Sequence, residues 1–357
     1  MKVIQRYLAR QIFASTLLVF SALLVLFTFL DLIHELNDVG IGNYHLFYAF
    51  VYVLLGIPGH VYELFPIASL IGTIFALSHL GANSEITVMR VSGMSSTDMA
   101  GFLFKIGLVF VALTFLFGEV LAPMSDAAAQ KLRLKATKSV VAQAFRSGLW
   151  VKDDTNFINV REVLPDATLM HVRVFEFDAR HALKSISFAK EGIYKGNNLW
   201  MLSGVVRTNF GNGAVTVSSI PDYMWKSVLT PDLLSVLLIF PEHMSILTLH
   251  HYILHLVENK QQATRYQIAF WTKFVYPFAV LVMMLIALPF AYHRRRQGGI
   301  SAKIVTGIMI GLVFYLLNQL SARIGLINDW PPFLSAAMPT IAFFILAVSA
   351  LWWVERR

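Results

Sequence analysis

Apolar runs without Asp, Glu, Lys or Arg recur at Gln11 to Leu30, Leu64 to Ser84, Phe274 to His293, Ile304 to Ala322 and Trp330 to Val354. Each is close to the roughly 20 residues that a helix needs to cross the hydrocarbon of a bilayer. A further run, Ile106 to Val120, is broken only by Glu119, near Pro123. The pattern predicts an α-helical membrane protein with six transmembrane helices, three on either side of a long polar insert. Leu46 to Ile57 is also apolar, but Pro58 and Gly59 end it too early for a crossing, so it reads as a separate interfacial helix. The first run follows a basic start, as a signal peptide would. Its length and the lack of a small-x-small pattern in the Asp31 to Asp38 stretch favour a retained anchor.

Within the insert the period changes. Leu149 to Lys152, Asn156 to Val163, Met170 to Phe177, Lys184 to Tyr194, Leu199 to Thr208 and Ala214 to Ser219 alternate or run apolar over strand lengths. Turn residues separate them: Asp153-Asp154-Thr155-Asn156, Gly196-Asn197-Asn198 and Gly211-Asn212-Gly213. This texture predicts an inserted all-β domain, a sandwich or jelly roll. Met124 to Gln143 and Ser245 to Lys260 lack Gly and Pro and read as helical linkers. The chain thus divides into residues 1–123 with the first three spans, 124–265 with the β domain and its linkers, and 266–357 with the last three spans.

Composition sharpens this reading. Of 357 residues, 57% are hydrophobic and only 14% charged, which a soluble protein of this size does not show. The net charge of +8 could attract nucleic acid, yet no basic patch interleaves with aromatics, and membrane topology explains the excess better. Lys2, Arg6 and Arg10 precede the first span; Arg90 and Lys105 lie between the second and third; Arg294, Arg295, Arg296 and Lys303 follow the fourth; Arg356 and Arg357 end the chain. Short basic loops stay in the cytoplasm, so both termini are expected there and the β domain on the periplasmic side. With no cysteine, the chain can form neither a disulfide framework nor a thiol-ligated metal site.

Candidate chemistry is sparse. There is no Gly-Lys-Ser/Thr, GxSxG or HExxH, so nucleotide hydrolysis by a P-loop, a serine-elbow hydrolase and a zincin are excluded. His251 and His255 have metal-compatible spacing, but paired histidines on an amphipathic linker are ordinary, and no metal site is expected. The loop from Ser84 to Met94 reads as a short helix capped by Ser84, with Ile86, Met89 and Gly93 on one face and Glu85 and Arg90 at its edges. Such a helix is either an ordinary interfacial element or the point at which a soluble motor moves the membrane subunit. Lys131, Arg133, Lys135 and Lys138 form a basic cluster past the third span, either a solvated face or a contact for anionic headgroups. Glu119 is the one acid well inside an expected span, and an intramembrane carboxylate is a functional candidate. Spans four to six carry no charge on this reading, so a substrate held among them would present acyl chains.

Several segments together resemble the LptF/LptG family of lipopolysaccharide export permeases, with its LptG branch the nearer. They are Ser84-Glu85-Ile86-Thr87-Val88-Met89-Arg90-Val91-Ser92-Gly93-Met94, Gly118-Glu119-Val120-Leu121-Ala122-Pro123, Gly148-Leu149-Trp150-Val151-Lys152-Asp153, Leu229-Thr230-Pro231-Asp232-Leu233-Leu234, and Arg265-Tyr266-Gln267 with Trp271, Lys273 and Pro277. The resemblance spans essentially the whole chain. It implies a permease half that pairs with an LptF-like subunit, rests on two copies of an LptB-like ATPase, associates with an LptC-like bitopic subunit and feeds an LptA-like periplasmic bridge. ATP and Mg would be bound by the ATPase, with no cofactor in this chain. It also implies that Ser84 to Gly93 is the coupling helix, that Glu85 enters a groove of the ATPase, and that the β domain is a jelly roll. Lipopolysaccharide, or lipooligosaccharide, would be drawn from the inner membrane with its phosphates near basic residues, Arg133 falling on such a position. Where family members place lysines at the outer end of span one, this chain has Asp31, Asn37 and Asp38. Phosphate contacts would then fall to Lys131, Arg133, Lys135 and Lys138, run through cations held by the acids, or give way to a differently decorated lipid.

Three rival readings make distinct demands. A permease for lipoprotein release or force transduction would favour four spans with the large domain after the first. A lipid transferase using Glu119 or the histidines would need polar groups converging at one depth, and a passive scaffold would need no coupling loop.

Overall fold

The computed structural model describes residues 2–137, 148–153, 156–164, 168–178, 182–211, 214–227, 229–231, 241–258, 261–292 and 300–355. Lys138 and the rest of the first linker to Gln143, the turn residues Asp154, Thr155, Asn212 and Gly213, the Asp232-Leu233-Leu234 segment, Lys260, and Arg294 to Arg296 with Arg356 and Arg357 lie outside them.

Among the described residues, six helices are long and apolar enough to cross a membrane. The first is α1 (Lys2–Glu35), and the second is α2 (Leu46–Ala82). A short α3 (Glu85–Val91) leads to the third, built from α4 (Ser96–Leu116), a π-turn (Phe117–Leu121) and α5 (Ala122–Thr137) without a break. After the β domain, α6 (Ile246–Glu258) precedes the fourth, composed of α7 (Thr264–Val275), a 3₁₀ turn (Tyr276–Phe278), α8 (Ala279–Ala287) and α9 (Pro289–Tyr292). The last two are α10 (Ile300–Ile327) and α11 (Pro332–Glu355).

The separate interfacial helix expected at Leu46 to Ile57 is not formed: α2 runs 37 residues through Pro58 and Pro66. At about 1.5 Å per residue it spans about 55 Å, more than the hydrocarbon thickness. Proline removes one backbone donor but does not end a helix whose flanks are held by neighbours. Here Ala49, Val53, Val61 and Leu64 are buried on both sides of Pro58.

α2 and α8 form the middle of the bundle. Leu77 and Leu80 pack with Leu8 and Ile12 of α1, Leu103 and Phe110 of α4, and Val280 and Met284 of α8. Leu70 and Ile74 pack with Met283 of α8, Phe314 of α10 and Phe343 of α11. By contrast only 6% of the apolar window of α1 is buried, against 72% for α2, so α1 is a peripheral helix that gives Leu17 and Val25 to lipid or to another chain.

The insert is a six-stranded antiparallel sheet of β1 (Leu149–Asp153), β2 (Asn156–Val163), β3 (Leu169–Phe177), β4 (Leu183–Gly196), β5 (Leu199–Gly211) and β6 (Ala214–Lys226), ordered as in the chain. That order is a meander, whereas a jelly roll needs Greek-key crossings between two sheets. The described residues therefore bear out the inserted all-β domain and do not display a jelly-roll topology. One face is packed: Ile158, Val160, Val172, Val174, Trp200 and Leu202 are buried together, and the Trp200 Nε1–H donates to the Leu229 carbonyl at 2.7 Å. β6 extends beyond its expected end at Ser219 through Pro221, which an edge strand tolerates because its outward donor is not needed.

Candidate functional site

Among the described residues, three places in the bundle bring together charged side chains and their partners. The first is the α2–α3–α4 corner. α3 begins after Ser84, whose φ of 62° is left-handed and whose side chain makes no cap bond, unlike the cap expected there. Its end is closed by Gly93 at φ 93°, with Gly93 N–H donating to Arg90 O at 3.0 Å and Met94 N–H to Met89 O at 3.1 Å. This pairing is a Schellman stop, so Gly93 ends the helix. Ser95 then caps α4 reciprocally with Asp98. Ile86 and Met89 are buried in the main core, fastening α3 to α2 and α4. The residues turned outward are Val88, 64% exposed, and Val91, 85% exposed, with Arg90. Glu85 is half-buried, with Asn83 Nδ2 at 3.5 Å.

The second place joins the α1–α2 connection to α5. The Arg133 guanidinium bonds Asp38, reaches Glu35 at 3.5 Å and lies 5.3 Å from the centroid of the Tyr52 ring. Glu35 is only 4% exposed and accepts the Tyr44 hydroxyl at 2.7 Å. Burial and the neighbouring Glu35 carboxylate hold the Tyr44 phenol well above its ordinary range, so it stays protonated as the donor. Asp31 bonds His60 of α2. Of the expected basic cluster, Arg133 is thus engaged by acids of the chain itself, Lys131 is exposed, Lys135 belongs to α5, and Lys138 lies outside the described residues. The acids at the end of span one, an anomaly in the sequence, have intramolecular partners.

The third place follows from Pro123. Proline has no N–H to return to the carbonyl four residues back, and its ring crowds that carbonyl. The helix widens here into a π-turn in which the Ala122 N–H donates to Phe117 O, five residues back. The Gly118 carbonyl consequently loses both backbone donors, since Ala122 is used and Pro123 has none. Lys273 of α7 supplies the missing proton, its Nζ donating to Gly118 O at 3.0 Å. The same ammonium stands 3.8 Å from Glu119 Oε1, while Glu119 Oε2 accepts the Ile246 N–H at the start of α6 at 2.7 Å. A Cβ on Gly118 would collide with the Tyr62 ring, so glycine is what permits this approach.

Beside this junction lies a cavity of about 420 Å³ whose lining includes Tyr62, Glu63, Arg265, Lys273, Tyr276, Asn318 and Arg323. Tyr276 donates to the Glu63 carbonyl at 2.6 Å, and Arg265 stands 3.4 Å from Glu242. Cations and carboxylates share the wall with Ile268, Ala269, Ala322 and Leu326. The expectation that the last three spans are free of charge fails here, because Lys273 is 4% exposed within α7, Arg265 lies at the start of that helix and Arg323 lies in the last turns of α10. Lys273 directly precedes the apolar window that begins at Phe274, and that adjacency was its only sequence signal. Glu119 was legible as an isolated acid, its partners were not. His251 and His255 lie on α6, and among the described residues no group of three metal-compatible side chains assembles.

Residues 6–354 match the family described as "Lipopolysaccharide export system permease LptF/LptG". The chain is 32% identical over 357 residues to "Lipopolysaccharide export system permease protein LptG" of Escherichia coli (strain K12), covering 99% of this chain and 98% of that protein. A protein of the same description from Haemophilus influenzae is 29% identical over 355 residues, again covering 99% of this chain and 98% of the relative. With the helices and the inserted β domain in the same continuous match, the chain belongs to the LptF/LptG family of lipopolysaccharide export permeases.

Proposed function

We propose that the chain is the LptG-type half of a permease that lifts lipopolysaccharide, or lipooligosaccharide, out of the bacterial inner membrane and passes it toward a periplasmic bridge. An LptF-like subunit completes the permease, a dimeric LptB-like ATPase supplies the energy, and an LptC-like subunit joins it. Both termini and α3 face the cytoplasm, and the β domain faces the periplasm, in keeping with the Lys and Arg bias of the short loops.

The observation that carries this reading is the build of α3. Ile86 and Met89 fix it to the core of the bundle, while Val88 and Val91 are left outward beside Glu85 and Arg90. A seven-residue helix with one face anchored and an apolar face open is suited to passing force from a soluble partner into α4. The test is co-purification of the ATPase with the assembled permease pair: Glu85→Lys should lose most of the ATPase while both permeases remain paired. Undiminished ATPase recovery with Glu85→Lys would remove α3 as the docking element.

For the substrate, Lys131, Lys135 and Lys138 are the headgroup contacts of this reading, with Arg133 available once it exchanges its bonds to Asp38 and Glu35 for a phosphate. Bidentate recognition of phosphate by a guanidinium makes that exchange chemically reasonable.

A further inference from the structure

Resting on the export reading, we propose that Glu119 and Lys273 are positioning residues that transmit ATPase-driven movement of the third span to α6, and so to the β domain. α3 is tied to α4 by a Schellman stop and a reciprocal cap, and α4, the π-turn and α5 form one rod. Movement entering at α3 reaches Glu119 through continuous backbone. There the rod meets two separate elements: its carboxylate holds the N-terminal amide of α6 at 2.7 Å and stands 3.8 Å from Lys273 of α7. The ammonium also occupies the carbonyl that Pro123 leaves without a donor, at 3.0 Å, so it registers α7 against the π-turn itself. α6 is the helix that leads from the β domain back to the bundle, and it packs on α7 through Leu249 with Ala269 and through Tyr252 with Tyr266. Pro123 fixes the π-turn, and Glu119 and Lys273 fasten the start of α6 and α7 to it, so these two residues set the position of both helices relative to the rod.

A purely stabilising ion pair would have another signature, and the experiment separates the two. Because the chain has no cysteine, a single spin label at Leu247→Cys, 73% exposed on α6, reports the movement of that helix in the full complex. Parent, Glu119→Gln/Lys273→Met and Lys273→Arg complexes are compared in proteoliposomes for ATP hydrolysis, lipopolysaccharide extracted per ATP, and the nucleotide-dependent change of the label. The doubly neutral variant leaves no orphan charge, which keeps the folding cost small. The expected result is ATP hydrolysis within about twofold of the parent, extraction per ATP lowered about tenfold, and a label that no longer responds, with Lys273→Arg near the parent. Parent-like extraction per ATP and a parent-like label response in the neutral variant would overturn the proposal. So would failure of the neutral variant and of Glu119→Gln alone to assemble, since the pair would then be structural. A parent complex that hydrolyses ATP and moves the label without extracting lipopolysaccharide would sink the export reading and leave the junction standing.

Discussion

Arg133 closes on Asp38 across 95 residues of chain, and the same guanidinium reaches the buried carboxylate of Glu35. One cation therefore meets two acids at the site where the family resemblance calls for phosphate contacts. Asp38→Asn should free the guanidinium and increase photo-cross-linking of lipopolysaccharide to a probe placed on α5. Arg133→Gln should decrease it and, by stripping Glu35 of its cation, cost about 1–3 kcal/mol of stability. Equal cross-linking in the two variants would dissociate Arg133 from the substrate.

Close approach of α1 to α2 depends on Gly72, where a Cβ would collide with the Thr16 backbone. Gly72→Ala should separate the two helices and lower stability by about 1–3 kcal/mol, seen as a lower midpoint in a thermal melt of the purified protein. Gly101 of α4 faces open space, and Gly101→Ala should be neutral or slightly stabilising. Matching shifts for the two alanines would mean that the α1–α2 crossing is not as described.

In the β domain the fully buried Trp200 anchors the segment after β6 through the Leu229 carbonyl. Trp200→Phe keeps most of the packing and removes the donor, so it should cost about 1–3 kcal/mol, whereas Trp200→Ala should cost about 3–5 kcal/mol. Limited proteolysis should cut near Leu229 sooner in both, in that order.

On α3 the buried and exposed apolar residues should separate in their effects. Ile86→Ala should destabilise the permease by about 2–5 kcal/mol, while Val88→Asp should leave its melting unchanged and reduce ATPase affinity about tenfold or more. Titration of the ATPase onto immobilised permease checks both. A destabilised Val88→Asp protein with normal ATPase binding would reverse the assignment of the faces.

Much of this architecture was readable from hydrophobic period. The six crossings and all six strands fall where apolar runs and alternation put them, because burial in lipid and on one sheet face writes directly into residue type. Where tertiary context decides, the pattern misled. Pro58 looked like a terminator, yet α2 passes through it because its flanks are buried against other helices. Pro221 likewise does not stop β6, since strand position along an edge is a property of the sheet and not of the local sequence. Lys273 stood just outside an apolar window, and nothing local said that its ammonium would fill the vacancy made by Pro123 in a helix more than a hundred residues earlier. Asp31, Asn37 and Asp38 looked like a departure from the family, and only the fold brought His60 to Asp31 and Arg133 to Asp38. Ile86 and Met89 were legible as one face, but whether that face pointed to the core or to a partner depended on α2 and α4.

The most direct measurement is ATP-dependent release of lipopolysaccharide from proteoliposomes that contain this chain, an LptF-like permease, the LptC-like subunit and the ATPase, with a periplasmic bridge protein as acceptor. Release that requires ATP and all of the subunits, and that disappears with Glu85→Lys, is the result expected. Hydrolysis of ATP without any transfer of lipopolysaccharide to the acceptor, or transfer of lipoprotein in its place, would contradict the account.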